Sequence, residues 1–310
     1  MHVESTRAAR IRAFEVTPER FRKIATAALL AVGVVISTGA VVRLTGSGLG
    51  CENWPRCGDT PFPERDAHAA IEFGNRVIGA VTIGFTLVLW LAARRVGGLP
   101  RRARRLALAL FAGNLAQIPL GGLTVIFELH PLLVMSHFLL AMAMLAVAVV
   151  VVVEARGLEI GWAPPLLPRE LRIAGLALAG AGALLVTSGA FATAAGPHAG
   201  DSSEIDRLGE PLTSVYVHAG VTAVFGCAFL LVLGYLAARR TDAPRLFVLA
   251  LGVLALLGLQ VGLGELQYHT GLPWGLVLIH VWSGSAVWAG VVALAYLLAR
   301  PLASLVPRRE

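Results

Sequence analysis

Eight apolar segments, each approaching or exceeding the length of a bilayer-crossing helix, constrain the fold of this 310-residue chain more than any other feature. An α-helix needs about 20 residues to cross about 30 Å of hydrocarbon, and lipid offers no hydrogen-bond partner to an open strand. Because only 15% of the residues are charged and 56% are apolar, an ordinary soluble enzyme is excluded. The predicted fold class is an all-α integral membrane protein. Its eight transmembrane helices are expected at Ile24–Val42, Val77–Ala93, Leu106–Phe127, Pro131–Val153, Ile173–Ala195, Leu212–Ala238, Leu246–Leu263 and Leu272–Ala299.

The distribution of basic residues predicts that both termini lie in the cytoplasm. With the N-terminus inside, 21 of the 26 Lys and Arg residues fall on the cytoplasmic side, which is the positive-inside pattern. The basic surface is therefore expected to face the cytoplasmic leaflet of the membrane, and nucleic acid is not expected as a partner. The Arg-rich segment Met1–Lys23 lacks the features of a cleavable signal peptide, so we expect the first span to be a retained anchor.

An internal repeat divides the chain into two similar halves. STGAVVRLTGSGLGC (Ser37–Cys51) resembles TSGAFATAAGPHAGD (Thr187–Asp201), and QIPLGGL (Gln117–Leu123) resembles QVGLGEL (Gln260–Leu266). One offset of 143 residues relates Gln117 to Gln260, His137 to His280 and Asn75 to His218. Because four spans return the chain to its starting side, we predict two repeat-related four-helix bundles in parallel orientation. The expected parts are a cytoplasmic tail 1–23, a first bundle 24–155, a linker 156–172, a second bundle 173–300 and a tail 301–310.

Three histidines lie inside apolar helices, at one predicted depth. His137, His218 and His280 each follow a proline near the start of their helix by six or seven residues, which places them about 10 Å from the outer end. A lone imidazole here is usually a satisfied polar contact between helices, but a repeat-related set favours ligation.

The ligand set favours iron in a porphyrin over zinc. Two histidines on facing helices, without cysteine or carboxylate at the same level, are typical of axial haem ligation. His218 and His280 form a complete pair, whereas the first bundle offers His137 and Asn75. Since asparagine is a poor iron ligand, we expect that haem to be five-coordinate or weakly six-coordinate.

The first outer loop contains Cys51 and Cys57 on the oxidising side of the membrane, where a disulfide is expected. A structural bond and a redox-active pair both remain open. Glu72 precedes Asn75 by three residues and so lies about one helical turn nearer the outside. It is either the partner of Arg76 in an ion pair or a base and charge stabiliser beside a bound haem.

These motifs resemble the haem A synthase family, which supplies haem A to cytochrome oxidase. The resemblance rests on STGAVVRLTGSGLGCENWPRC, on IEFGNR, on GPHAGD and on the four repeat-related positions, and it covers about residues 25 to 300. It implies a haem b between His218 and His280, substrate haem O at His137 and Asn75, a catalytic role for Glu72, and a cysteine pair at Cys51 and Cys57. It also implies a bacterial plasma membrane location, with haem O synthase and a membrane electron acceptor as partners.

The implied reaction oxidises the C8 methyl of haem O to a formyl group through an alcohol, with water as the oxygen source. Two departures stand out: Asn75 replaces the usual histidine, and the second outer loop (Gly196–Pro211) has no cysteine pair. His68 and His130 are the alternative ligands, although neither occupies the repeat-related position.

Three other functions fit parts of the pattern. A di-haem b-type cytochrome in quinone-linked electron transfer would share the ligands but would not need Glu72 or an exchangeable haem. A proton-coupled transporter would use the histidines as relays and carry no pigment. A purely structural subunit would leave the repeat-related histidines unexplained.

Overall fold

The computed structural model describes residues 15–51, 53–58, 62–63, 66–164, 167–201 and 205–305. This part of the chain is helical, with isolated bridges but no β-strand, and eight of its helices are long and apolar enough to span a membrane. The chain is thus a multi-pass membrane protein, as the apolar segments predict. The eight helices are α1 Pro18–Leu44, α2 Ala67–Ala93, α3 Arg101–Ile126, α4 Pro131–Ile160, α5 Arg169–Ala195, α6 Pro211–Ala238, α7 Pro244–His269 and α8 Trp274–Ala299. A short 3₁₀ helix, Ala303–Leu305, follows α8.

Most helices extend beyond the apolar segments, and capping side chains mark the starts of α1, α2 and α6. α1 begins at Pro18, where the Thr17 hydroxyl accepts a hydrogen bond from the Arg20 N–H at 3.3 Å. The start of α2 precedes its apolar segment by ten residues, because the Asp66 carboxylate caps it by accepting the Ala69 N–H at 2.9 Å. The same hydrogen bond lowers the pKa of Asp66. The predicted tails 1–23 and 301–310 lie partly outside the described residues.

The helices of each half contact one another in a cyclic order. α1 and α3 both pack against α2 and α4, while α5 and α7 both pack against α6 and α8. Consequently α2 and α4 occupy opposite corners of the first half, and α6 and α8 occupy opposite corners of the second. Each half has a separate cluster of buried apolar side chains. The side chains that α2, α4, α6 and α8 direct inward are therefore the ones that can meet a group inside each half.

Polar contacts join the two halves at both ends of the helices. At the end where α4 and α8 finish, the buried Glu154 of α4 accepts hydrogen bonds from Tyr296 and, at 2.7 Å, from Arg300. At the opposite end, which the sequence predicts to be the outer one, the Gly48 N–H donates to the Gly200 carbonyl at 2.6 Å, and Arg43 Nε donates to a carbonyl of the second outer loop at 2.7 Å. Since the two outer loops are bonded to each other, the first loop has a defined position over the helices.

Candidate functional site

The four repeat-related positions each pack against a glycine of a neighbouring helix. A Cβ atom built on that glycine would lie 3.0 to 3.3 Å from the Cε1 atom of each histidine, and 4.0 Å from Oδ1 of the asparagine. The three imidazoles therefore lie directly against the backbone of the neighbouring helix, in space that an alanine Cβ would partly occupy if it replaced the glycine. The pairs are Gly39 with Asn75, Gly121 with His137, Gly189 with His218, and Gly264 with His280.

A hydroxyl group sets the tautomer of His218 on α6. Ser188 Oγ lies 2.9 Å from His218 Nδ1 and also donates its single proton to the Leu185 carbonyl at 2.9 Å. The serine oxygen must therefore accept, so Nδ1 carries the imidazole proton. The lone pair then resides on Nε2, which makes no hydrogen bond within the described residues and is the atom that can bind iron.

His137 on α4 and His280 on α8 share a second arrangement. Nδ1 of each ring is buried without a hydrogen-bond partner among the described residues. A glutamine of the preceding helix donates instead to each histidine's backbone carbonyl, from Gln117 at 3.2 Å and from Gln260 at 3.0 Å. Of the two nitrogens of each ring, Nε2 is therefore the one that remains to bind a ligand.

Asn75 on α2 occupies the position that corresponds to His218, but its contacts differ. Its Oδ1 atom accepts a hydrogen bond from Thr38 Oγ1 at 2.7 Å. The two alternative histidines lie elsewhere: His68 is in the first turn of α2, with Nδ1 2.9 Å from Ser47 Oγ, and His130 immediately precedes α4. His68 is seven residues from Asn75, or about 10 Å along the helix.

Glu72 makes the ion pair that the sequence left open. The carboxylate is 5% exposed, and one oxygen binds the Arg76 guanidinium while the other accepts the Cys51 N–H at 2.8 Å. Arg76 also donates to the Arg56 carbonyl at 2.9 Å. Glu72 therefore holds the first outer loop onto α2, and each of its oxygens retains a lone pair for a further donor.

The first outer loop is closed by a disulfide between Cys51 and Cys57, which confirms the predicted pairing. Trp54, inside this loop, lies on Gly122 of α3, where a built Cβ would be 2.6 Å from the indole ring. Gly122 adjoins Gly121, the glycine beneath His137. The loop thus covers the outer end of the first half. Its contact on α3, Gly122, is the residue next to Gly121, against which the His137 ring packs.

An outer cavity of about 610 Å³ lies between the two outer loops. Arg43, His68, His198 and Asp66 line it, together with Gly50 and Cys57 of the first loop. Because Gly50 precedes the residue that donates to Glu72, this outer cavity adjoins the backbone that holds the carboxylate.

Sequence reasoning missed the hydroxyl groups beside the histidine positions. Thr38 and Ser188 each directly precede the repeat-matched glycine of their helix, in STG and TSG, and this was the signal that could have identified them. In the described part of the chain, no group of three or more His, Cys, Asp or Glu side chains is arranged to hold a metal ion by itself.

These features define a class of protein: a multi-pass membrane protein whose two halves present repeat-related imidazole or amide side chains within their helices. The chain matches the cytochrome oxidase assembly protein family over residues 22–292 and belongs to that family.

Individual relatives carry more specific names. The haem A synthase of Shewanella oneidensis is 25% identical over 311 residues, which covers 86% of this chain and 92% of that protein. The haem A synthase of Bacillus pumilus is 32% identical over 138 residues, which covers 43% of this chain and 45% of that protein. The matches to four bacterial haem A synthases, including the one from Bacillus pumilus, cover only 33 to 45% of the length of those proteins. A protohaem IX farnesyltransferase of Halobacterium salinarum is 31% identical over 114 residues, or 35% of this chain and 23% of that protein.

Proposed function

We propose that this chain is a haem A synthase, an oxidoreductase that converts the C8 methyl of haem O to a formyl group through an alcohol. The family match over residues 22–292 carries the proposal, and the names of the relatives support it. The net reaction adds one water oxygen to the methyl carbon and releases four electrons and four protons, which a membrane electron acceptor and the outer aqueous phase must take.

The second half is proposed to hold haem b between His218 and His280. The contacts of these residues fit that group: Ser188 leaves the Nε2 lone pair of His218 available, and Nδ1 of His280 is enclosed by protein, so Nε2 is the nitrogen that a ligand can reach. The glycines beneath the two rings allow each imidazole to lie close to its neighbouring helix. A haem b bound there would supply a one-electron relay between the substrate and an external acceptor.

The first half is proposed to bind haem O through His137. Its ring is held like that of His280, with a glycine beneath it and a glutamine on its backbone carbonyl. The repeated use of these contacts supports the assignment of two repeat-related bundles. Both termini are proposed to be cytoplasmic, in a bacterial plasma membrane, so the substrate site lies near the outer surface.

Glu72 is proposed as the catalytic carboxylate. Removal of electrons from the methyl group builds positive charge at carbon, and an anion held in a water-poor site stabilises that charge. Arg76 and the Cys51 N–H orient the carboxylate, and the lone pairs that remain can accept a proton from an attacking water. The adjoining outer cavity provides a route by which water enters and protons leave.

Acid extraction of the pigments from the purified full-length protein, followed by chromatography, tests the proposal. Expression with a haem O supply should yield haem A or the hydroxymethyl intermediate. A protein that contains only unmodified haem b and haem O would be a di-haem cytochrome. A colourless protein would contradict every haem assignment. The similarity to a farnesyltransferase leads us to propose haem O synthase as the partner that delivers the substrate.

A further inference from the structure

The hydroxyl groups beside Asn75 and His218 have opposite roles in their hydrogen bonds: one donates and the other accepts. In the second half, Ser188 Oγ accepts a hydrogen bond from His218 Nδ1. In the first half, Thr38 Oγ1 lies 2.7 Å from Asn75 Oδ1 but 3.2 Å from the Val35 carbonyl. A threonine hydroxyl has one proton, and 2.7 Å is the usual O–H···O distance whereas 3.2 Å is long. Thr38 therefore donates to Asn75.

This hydrogen bond fixes the orientation of the Asn75 amide. Of the asparagine's atoms, Oδ1 alone comes within 4.0 Å of a Cβ built on Gly39, so the carbonyl side faces α1. The two polar atoms of a planar amide point about 120° apart, so Nδ2 is directed away from α1. Nothing in the described part of the chain accepts a hydrogen bond from this nitrogen. Two N–H donors are therefore available to a ligand.

We infer that Asn75 is a hydrogen-bond donor to a small ligand on the side of the substrate haem that His137 does not occupy. The inference rests on the proposed function, since it requires a haem held by His137. An amide nitrogen has no basic lone pair, so it does not bind iron as Nε2 of His218 can. The ligand class is a small hydrogen-bond acceptor such as water, hydroxide or azide.

The two halves therefore differ in whether a small ligand can reach the proposed haem. His218 and His280 would occupy both faces of the proposed haem b, whereas in the first half His137 would occupy one face and Asn75 would place a hydrogen-bond donor beside the other. For a reaction whose oxygen comes from water, such a donor orients a water molecule beside the porphyrin.

Azide titration of the ferric full-length protein, followed by optical absorption, tests this inference. Azide should bind to one of the two haems in the unaltered protein. Asn75→Leu should weaken azide binding about tenfold or more, because a hydrogen bond to a charged ligand is lost. Thr38→Val should weaken it by a smaller factor, since the amide is then free to turn its oxygen toward the ligand. Thr26→Val is the matched control, because Thr26 is on the same helix and its hydroxyl donates to the Arg22 carbonyl of that helix at 2.9 Å.

The outcomes separate the inference from the proposed function. An Asn75→Leu protein that retains both haems and binds azide as tightly as the unaltered protein overturns the inference alone. So does an unaltered protein that makes haem A but gives no azide-induced spectral change. Absence of haem from the unaltered protein overturns both proposals. Weakened binding in both Asn75→Leu and Thr38→Val, with Thr26→Val unchanged, supports the donor role.

Discussion

Adding a single methyl group beneath His218 should displace the proposed haem b ligand without unfolding the protein. In Gly189→Ala, the new Cβ would lie 3.0 Å from His218 Cε1 and 3.5 Å from its Nδ1. Ordinary carbon contacts are about 3.5–4.0 Å, so the ring must move by about 0.5 Å or more. That movement also disturbs the 2.9 Å contact with Ser188 that holds the tautomer.

The size of the effect follows from the cost of overpacking. Inserting a methyl group into a filled site costs about 1–3 kcal/mol, which corresponds to about a 5- to 150-fold loss of haem affinity. Alanine also favours the helix by about 1 kcal/mol over glycine, so a control must include that gain. Gly180→Ala supplies it, because Gly180 is on the same helix and a Cβ there meets nothing within 4 Å.

Haem titration of the purified apoproteins, followed by the low-spin absorption band, measures the difference between the two variants. Gly189→Ala should require more haem to saturate and should show a smaller low-spin band, while Gly180→Ala should match the unaltered protein. Gly39→Ala should also leave the haem b signal unchanged, since its built Cβ is in the other half and 4.0 Å from Asn75. Equal haem affinity and spectra for Gly189→Ala and Gly180→Ala would refute the claim that the ring needs this glycine.

Three further predictions concern the proposed ligands and the carboxylate. Replacing His218 or His280 with alanine should abolish the low-spin haem b spectrum, and an unchanged spectrum would contradict the ligand assignment. Glu72→Ala should retain haem but slow product formation by at least about a hundredfold, since it removes both the anion and the base. Normal turnover of this variant in a pigment assay would contradict a catalytic role for Glu72. Asn75→His should increase the low-spin fraction of the haem in the first half, because it restores a nitrogen ligand at the position that matches His218, and the absence of any spectral change would argue against that alignment.

The repeat explains why so much of this fold was predictable. Hydropathy alone identifies the eight spans, because lipid requires long apolar helices whatever their tertiary contacts. The shared offset of 143 residues also identifies His137 and His280 as equivalent positions, and in the structure both have a glutamine on the backbone carbonyl and a glycine beneath the ring. The two positions share these local contacts, so the offset pattern carries structural information without coordinates.

Helix ends were less accessible to sequence reasoning. The start of α2 lies ten residues before its apolar segment. Asp66 caps the helix there, and hydropathy does not detect this part because it contains polar residues. Glu72 and Asn75 therefore lie well inside the helix. The link between Glu72 and the Cys51 amide could not be predicted either, since it joins positions 21 residues apart through a loop whose path depends on packing.

The sequence by itself determined that the chain is a membrane protein with eight spans, and its motifs were enough to indicate the family. Composition and hydropathy suffice for the eight spans, because lipid imposes long apolar helices. Only the tertiary structure decided that Ser188 accepts a hydrogen bond from His218 whereas Thr38 donates one to Asn75, and that Glu72 holds the disulfide loop. Those outcomes depend on distances of 2.7 to 2.9 Å between atoms on different segments, and such distances arise only when the helices pack.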